Sequence, residues 1–155
     1  MRCDLELRPA TAEDAEDLLL WRNDEVTRRM SRNTGMVARE DHLKWYASAL
    51  SDPAKLLLIG CVNGSAIGMA RFDLLEPGVW EVSINLDPAC RGRGLSRPLL
   101  AAALAAIAQR QPTRVVAEIK PFNAVSRHLF ESLGFRLVQA GEAMNRYALA
   151  PGRSG

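Results

Sequence analysis

The dipeptide Asn63-Gly64, set between two apolar runs, constrains the fold of this chain more than any other sequence feature. Asn-Gly favours the positive backbone angles of a two-residue type I′ turn, so it predicts a hairpin that joins strands at 56–62 and 66–72. Residues 79–86 then alternate apolar and polar side chains, which is typical of a third adjacent strand. The chain is therefore expected to build a sheet that is largely antiparallel.

The rest of the chain alternates helical and extended patterns. Thr11 and Asp14 resemble a capping box at the start of a helix, and the stretch around Met30 is either a short helix or irregular. Helices are predicted at 11–21, 37–50, 95–109 and 123–133, and further strands at 5–8, 114–120, 135–139 and 144–149. Strands 79–86 and 114–120 flank a helix and so form a β-α-β crossover. The predicted fold class is α/β of the α+β type, with a mixed, mostly antiparallel sheet flanked by about four helices.

Length and charge limit the function classes. The chain has 155 residues, enough for one core, so we predict a single domain over 1–149 and a flexible tail over 150–155. The formal charge of +2 is too small for a broad basic face, which argues against nucleic acid or an anionic membrane as a partner.

The three cysteines and the amino terminus bear on the compartment. Cys3, Cys61 and Cys90 are odd in number and far apart, so they imply neither a disulfide framework nor a zinc cage, and no metal is expected. The first residues lack the apolar core of a signal peptide. We predict a cytoplasmic protein, either a monomer or a homodimer.

A glycine-rich loop between strand 79–86 and the next helix carries the main functional signal. Two glycines let the backbone approach a ligand, consecutive N–H groups can form an anion nest, and the following helix directs its positive end to the same place. Two arginines add local positive charge. The segment, called the 91–96 loop below, consists of Arg91, Gly92, Arg93, Gly94, Leu95 and Ser96. It predicts a phosphate ligand, yet it matches neither a kinase-type phosphate loop nor a dinucleotide fingerprint.

Two segments together resemble the GNAT family of N-acetyltransferases. The 91–96 loop is similar to that family's [QR]-x-x-G-x-[GA] loop for the pyrophosphate of coenzyme A, with Ser96 in place of the final Gly or Ala. Residues 123–135 are similar to its second signature, which runs from N-x-x-[AS] to G-F. The resemblance implies an acetyl-CoA-dependent N-acyltransferase of the EC 2.3.1 type.

The resemblance also implies how coenzyme A is held. Strands carrying Ile84 and Ile119 should splay apart, and pantetheine should lie in the gap between them. The further cofactor-binding residues that the resemblance implies are Ile84, Asn85, Leu86, Asn123, Ser126 and Phe130.

Two glutamates are candidate catalytic bases. Acetyl transfer to an amine requires that a proton leave the nitrogen, and Glu81 and Glu118 each interrupt an apolar strand at the acyl end of the expected cofactor site. Either could accept this proton, or both could be solvent-facing strand residues. Many relatives have a tyrosine where Phe130 stands, which leaves water, Tyr147 or the amine itself to protonate the departing thiolate.

The acceptor is assigned from a weaker local resemblance. Arg22, Asn23 and Met30 resemble a segment of acetyltransferases that act on nucleotide-linked amino sugars, with His42 further along the chain. Alternatively, Trp21 and Trp45 are core residues and Arg22 caps a helix. The expected partner is a small-molecule amine, and two other functions stay open: acetylation of protein N-termini or lysines, and coenzyme A binding without turnover.

Overall fold

A computed structural model describes residues 4–150 and confirms the mixed α/β architecture. The strands are β1 Leu5–Pro9, β2 Lys55–Val62, β3 Ser65–Glu76, β4 Val79–Leu86, β5 Arg114–Ile119, β6 Arg136–Gln139 and β7 Asn145–Leu149. The helices are α1 Ala15–Arg22, α2 Glu25–Met30, α3 Arg39–Leu50, α4 Ser96–Ile107 and α5 Ala124–Ser132. The four predicted helices are present and α2 is a fifth. Most of the tail predicted over 150–155 lies outside the described residues.

Seven strands form one sheet in the order β1-β2-β3-β4-β5-β7-β6. All neighbouring strands pair antiparallel except β4 and β5, which are parallel. The hairpin turn forms as predicted, with positive φ at Asn63 (52°) and Gly64 (80°). The crossover between β4 and β5 through α4 is therefore confirmed.

The two parallel strands separate halfway along β4. Their register contains only three pairs, the last of which is Glu81 with Val116. Strand β4 then continues to Leu86 and β5 to Ile119 without pairing to each other, while β3 and β7 cover their outer edges. This is the splay predicted for Ile84 and Ile119, and it leaves one backbone edge of each strand open.

Helices cover both faces of the sheet. The alanine-rich α4 buries a stripe at positions 99, 100, 103 and 107, which packs with Phe72 and Phe135 on one face. On the other face, Trp21 of α1 and Tyr46 of α3 pack on Ile59. The first face places the amino end of α4 beside the splay, and the second leaves the polar side chains of β4 and β5 beneath α2.

Buried polar contacts fix the start of α1. Asp14 accepts hydrogen bonds from both terminal nitrogens of Arg8, at 2.7 and 2.8 Å, and from the Thr11 backbone N–H at 2.8 Å. The Arg8 contact, followed by the Thr11 backbone bond, holds the pKa of Asp14 below its usual range despite burial. The predicted capping box is thus present.

Some predicted boundaries are wrong: β3 runs to Glu76 rather than to residue 72, and α3 begins at Arg39 rather than at residue 37. Both backbone polar groups of Val37 are bound by the Asn23 side chain, at 2.7 and 2.9 Å, which keeps Val37 out of the helix. Within residues 4–150, no helix is long and apolar enough to cross a membrane.

Candidate active site

The 91–96 loop has the backbone geometry of an anion cradle. Gly92 and Gly94 have φ of 79° and 69°, and a Cβ atom placed on either would meet no atom within 4 Å. Neither glycine is therefore needed to avoid a clash with the protein, whereas both allow a backbone that other residues rarely adopt. No described residue accepts a hydrogen bond from the backbone N–H groups of 94–97. These groups form a row of free donors at the amino end of α4. Such an arrangement suits the pyrophosphate of coenzyme A.

Arg91 is exposed and also contacts α2. Its Nη2 donates to Oδ2 of Asp24, the residue that caps α2, and to Oγ1 of Thr27 at 2.9 Å. The Arg91 guanidinium is the main reason that the pKa of Asp24 lies below its usual range. Arg93 is exposed and donates to no described residue. Of the two predicted cations, then, only Arg93 faces solvent without an ion pair.

The predicted pantetheine residues lie on the open part of β4. Ile84, Asn85 and Leu86 pair with β3 on one side and have no strand on the other. The Oδ1 atom of Asn85 is 3.4 Å from Oγ1 of Thr27, so α2 also contacts this segment. The free edge offers main-chain donors and acceptors, which is the type of contact that the family resemblance implies.

The residues predicted from the second signature have evident structural roles. Asn123 caps α5 by accepting from the Ser126 N–H at 3.2 Å, and its Nδ2 donates to Oγ of Ser126 at 3.1 Å. Phe130 is 4% exposed and packs edge-on against Phe135, with ring centroids 5.0 Å apart. Contact of these three residues with the cofactor stays a prediction.

Glu81 and Glu118 lie under a single guanidinium. Nη2 of Arg32 is 2.8 Å from Oε2 of Glu81 and 3.9 Å from Oε1 of Glu118. Arg146 of β7 donates two further hydrogen bonds to Oε1 of Glu118, at 2.9 and 3.1 Å. Both carboxylates are mostly buried, with side-chain exposures of 18% and 15%. The structure therefore brings the two candidate bases together, just where β4 and β5 separate.

A cavity of about 360 Å³ opens beside the glutamate pair; Glu118 lines it, whereas Glu81 does not. The cavity is lined by the segment after α2, by β5 and by the β6–β7 hairpin. Its lining residues are Arg32, Glu118, Gln139, Gly141, Ala143, Met144 and Arg146. No local sequence pattern indicates Arg32 or Arg146, because each contacts its carboxylate across 28 or more positions of the chain. This cavity is large enough for a small-molecule acceptor.

The predicted acceptor residues Arg22 and Asn23 hold the segment that follows α2. Arg22 donates to the carbonyl of Asn33 at 2.7 Å, and Asn23 clamps the backbone of Val37. Met30 is half-buried at the end of α2. None of the three lines the cavity beside the glutamates.

The aromatic residues and His42 are structural. His42 is 5% exposed, and its Nε2 lies 2.8 Å from the carbonyl of Ala15. Trp21 is buried in the core, and the Trp45 ring lies 4.4 Å from the Arg71 guanidinium. Among residues 4–150, no group of three His, Cys, Asp or Glu side chains is arranged to hold a metal ion.

Comparison with known proteins decides the family. The family model described as "Acetyltransferase (GNAT) domain" matches residues 4–136. The Bacillus subtilis (strain 168) protein "Putative phosphinothricin acetyltransferase YwnH" is 31% identical over 135 residues, which are 83% of this chain and 82% of that protein. The chain belongs to the GNAT acetyltransferase family. The predicted enzyme class, an acetyl-CoA-dependent N-acetyltransferase with acetyl-CoA as co-substrate, is thereby confirmed.

Solved GNAT structures share the fold at low identity. Spermidine N-acetyltransferase from Vibrio cholerae, in complex with CoA and spermine, superposes with a TM-score of 0.85 at 17% identity, covering 94% of this chain and 95% of that chain. The structure of yncA from Salmonella typhimurium with its cofactor acetyl-CoA gives a TM-score of 0.79 at 24% identity, covering 98% and 96%. These likenesses establish that the GNAT architecture spans nearly the whole described chain.

Proposed function

We propose that this enzyme acetylates the primary amine of a small molecule that also carries an acidic group. The observation that carries the proposal is the pair of arginines at the cavity. Nε and Nη1 of Arg32, and Nη1 of Arg146, donate to no described residue, although other nitrogens of both side chains bind the glutamates. Unused guanidinium donors beside a cavity suit a carboxylate or another oxyanion.

The cofactor half of the reaction depends on the backbone of this chain. The N–H groups of 94–97 would hold the pyrophosphate, Arg93 would add charge, and the open edge of β4 would align pantetheine along the splay. When bound there, acetyl-CoA supplies the acetyl thioester. The amine nitrogen bonds to the acetyl carbon, the carbon–sulfur bond breaks, and coenzyme A leaves as the thiol.

Glu81 is the proposed base. Amines of small molecules are largely protonated at neutral pH, so the nitrogen must lose a proton before or during attack. Glu81 would accept it directly or through one water, and Glu118, held by two nitrogens of Arg146, would orient the ammonium group. Phe130 has no proton to give, and Tyr147 is buried at 3% exposure. The proton on the leaving thiol is therefore proposed to come from the amine through solvent.

The name of one relative agrees with an acid-bearing acceptor. YwnH is named for phosphinothricin, an amino acid that carries a carboxylate and a phosphinate besides its amine. A nucleotide-linked amino sugar, which the segment containing Arg22, Asn23 and Met30 predicts, is also an amine with acidic groups. Its support is weaker, because those three residues do not line the cavity.

A screen of matched acceptors tests the proposal. Acetyl-CoA would be incubated with amino acids, their decarboxylated amines, polyamines, UDP-4-amino sugars and N-terminal peptides, with products read by mass spectrometry. We expect acetylation of acid-bearing small amines in preference to their decarboxylated partners. Preferred acetylation of polyamines or peptides would overturn the proposed acceptor, and no acetylation of any amine would favour a coenzyme A-binding module.

A further inference from the structure

We infer that Arg32 is a specificity residue that blocks Glu81 until the acidic group of the substrate draws it away. The inference rests on the proposed function, because it assumes that Glu81 is the base and that the acceptor carries an acid. It adds that acidic substrates are selected by release of the base as well as by binding.

The two arginines at the cavity are held very differently. Arg146 lies on a strand in the sheet and binds Glu118 through two of its nitrogens. Arg32 follows α2 in a segment without regular structure, and only one of its nitrogens binds Glu81. Its side chain is 63% exposed, whereas that of Glu81 is 18% exposed. A single exposed ion pair contributes little to stability, so Arg32 is the partner that can move.

In this arrangement Arg32 prevents an amine from reaching Glu81. The guanidinium lies 2.8 Å from Oε2 of Glu81 and 3.9 Å from Glu118, on the solvent side of both carboxylates. An ammonium group approaching Glu81 would have to take the position of the guanidinium, and it would be repelled by the same positive charge. Glu81 is thus a hindered base while the ion pair persists, because Arg32 occupies Oε2 and its charge repels an ammonium group.

An acidic substrate group offers Arg32 a better partner. A carboxylate or phosphinate can take two parallel N–H bonds from one guanidinium, and Arg32 lines the cavity with its Nε and Nη1 donating to no described residue. Exchange of Glu81 for the substrate anion would open the carboxylate to the substrate's own amine. An amine without an acidic group cannot drive this exchange, so it should react slowly even when it fits.

The test compares an acid-bearing amine with its decarboxylated counterpart in the wild type, in Arg32→Gln and in Arg29→Gln. Arg29 is a matched control, because it is exposed on α2 and its side chain forms no hydrogen bond with a described residue. For Arg32→Gln, we expect kcat/KM to fall by at least about 10-fold for the acid-bearing amine and to rise by at least about 3-fold for the decarboxylated one. Arg29→Gln should change neither by more than about 2-fold.

The opposite changes in kcat/KM for the two acceptors distinguish this role from a structural one. If Arg32→Gln slows both acceptors, Arg32 supports the site without blocking the base, and the inference is wrong. If only the acid-bearing amine is affected, Arg32 binds the acid but does not cover Glu81, which also overturns it. A wild type that prefers cationic or neutral amines would instead refute the proposed function, and the inference with it. Calorimetric titration with acetyl-CoA would show that each variant is folded.

Discussion

The proposed cofactor half and the proposed acceptor half of this site differ in the chemical groups that form them. At the 91–96 loop the functional groups are backbone N–H donors, freed by two glycines with positive φ and by the start of α4. At the cavity they are charged side chains, Arg32, Glu81, Glu118 and Arg146, paired across long stretches of sequence. The first half should be sensitive to glycine replacement, whereas the second should be sensitive to loss of single charges.

The largest expected effect is that of Gly94→Asp on acetyl-CoA binding. The new side chain would point from the cradle into open space and set a carboxylate against the phosphates. Loss of two charge-assisted hydrogen bonds, each about 1.5–3 kcal/mol, already exceeds about 100-fold in affinity. Isothermal titration calorimetry would measure this loss of affinity for acetyl-CoA.

Gly64→Asp controls for backbone strain. Gly64 also has a positive φ, 80°, and open space around its Cβ position, but it lies in the β2–β3 turn. This variant should be destabilised to a similar extent while binding acetyl-CoA normally. Equal affinities for Gly94→Asp and Gly64→Asp would refute the loop as the phosphate site.

In the acceptor half, Glu81→Gln should have the largest effect. Removal of a general base lowers the rate by about 10²-fold or more, so we expect a loss of this size in kcat at neutral pH. Glu118→Gln should cost less, about 10-fold, because its proposed role is to orient the ammonium group. Steady-state kinetics with an acceptor from the screen would decide, and full activity in both variants would show that the amine arrives already neutral.

Arg91 provides a smaller, graded test at the junction of the two halves. Arg91→Ala should weaken the binding of acetyl-CoA by about 1–3 kcal/mol, the size expected for one charge-assisted contact. The substitution also leaves the Asp24 carboxylate without its partner near the expected position of the phosphates. Because Asn also caps helices well, Arg91→Ala/Asp24→Asn should recover part of the loss without uncapping α2. A double variant weaker than Arg91→Ala would contradict this account of the pair.

The smallest effect concerns stability at low pH. The pKa of Asp14 is lowered in the folded state, mainly by Arg8, so its stabilising contribution is present above the ordinary value of 3.8 and is lost as pH falls through the lower folded value. Asp14→Asn should lower the free energy of unfolding by about 1–2 kcal/mol at neutral pH. It should also reduce the loss of that free energy as the pH falls.

Urea unfolding from pH 7 to pH 3 would measure this decline, with Asp41→Asn as the control. Asp41 is exposed on α3, and its side chain forms no hydrogen bond with a described residue. Parallel decline of the wild type and Asp14→Asn would rule out the Arg8 pair as the cause.

The same contrast explains what the sequence could predict. Turn chemistry and periodicity are local, so Asn63-Gly64, the alternation of β4 and the glycines of the 91–96 loop were readable directly. Helix α2 was ambiguous because it is six residues long and none of them is buried, so it has no apolar period. Its start depends on the Asp24 cap, and its position depends on Arg91 and Asn85.

Local sequence patterns could not predict the ion pairs of the acceptor half. Glu81 and Glu118 stood out because they interrupt apolar strands, but nothing near Arg32 or Arg146 indicates which carboxylate each one meets. These pairs exist only because β4, β5 and β7 are neighbours in the sheet and α2 crosses above them. Arg22 and Asn23 are indicated only by the local resemblance, and in the structure their side chains bind backbone groups of the segment that follows α2.

The separation of the two halves is tested most directly by titrating acetyl-CoA into the double variant Glu81→Gln/Glu118→Gln. Neither carboxylate contacts the 91–96 loop, so we predict an affinity within about 2-fold of the wild type together with loss of turnover. A double variant that is folded but no longer binds acetyl-CoA would contradict the account, because it would place the glutamates in the cofactor half of the site.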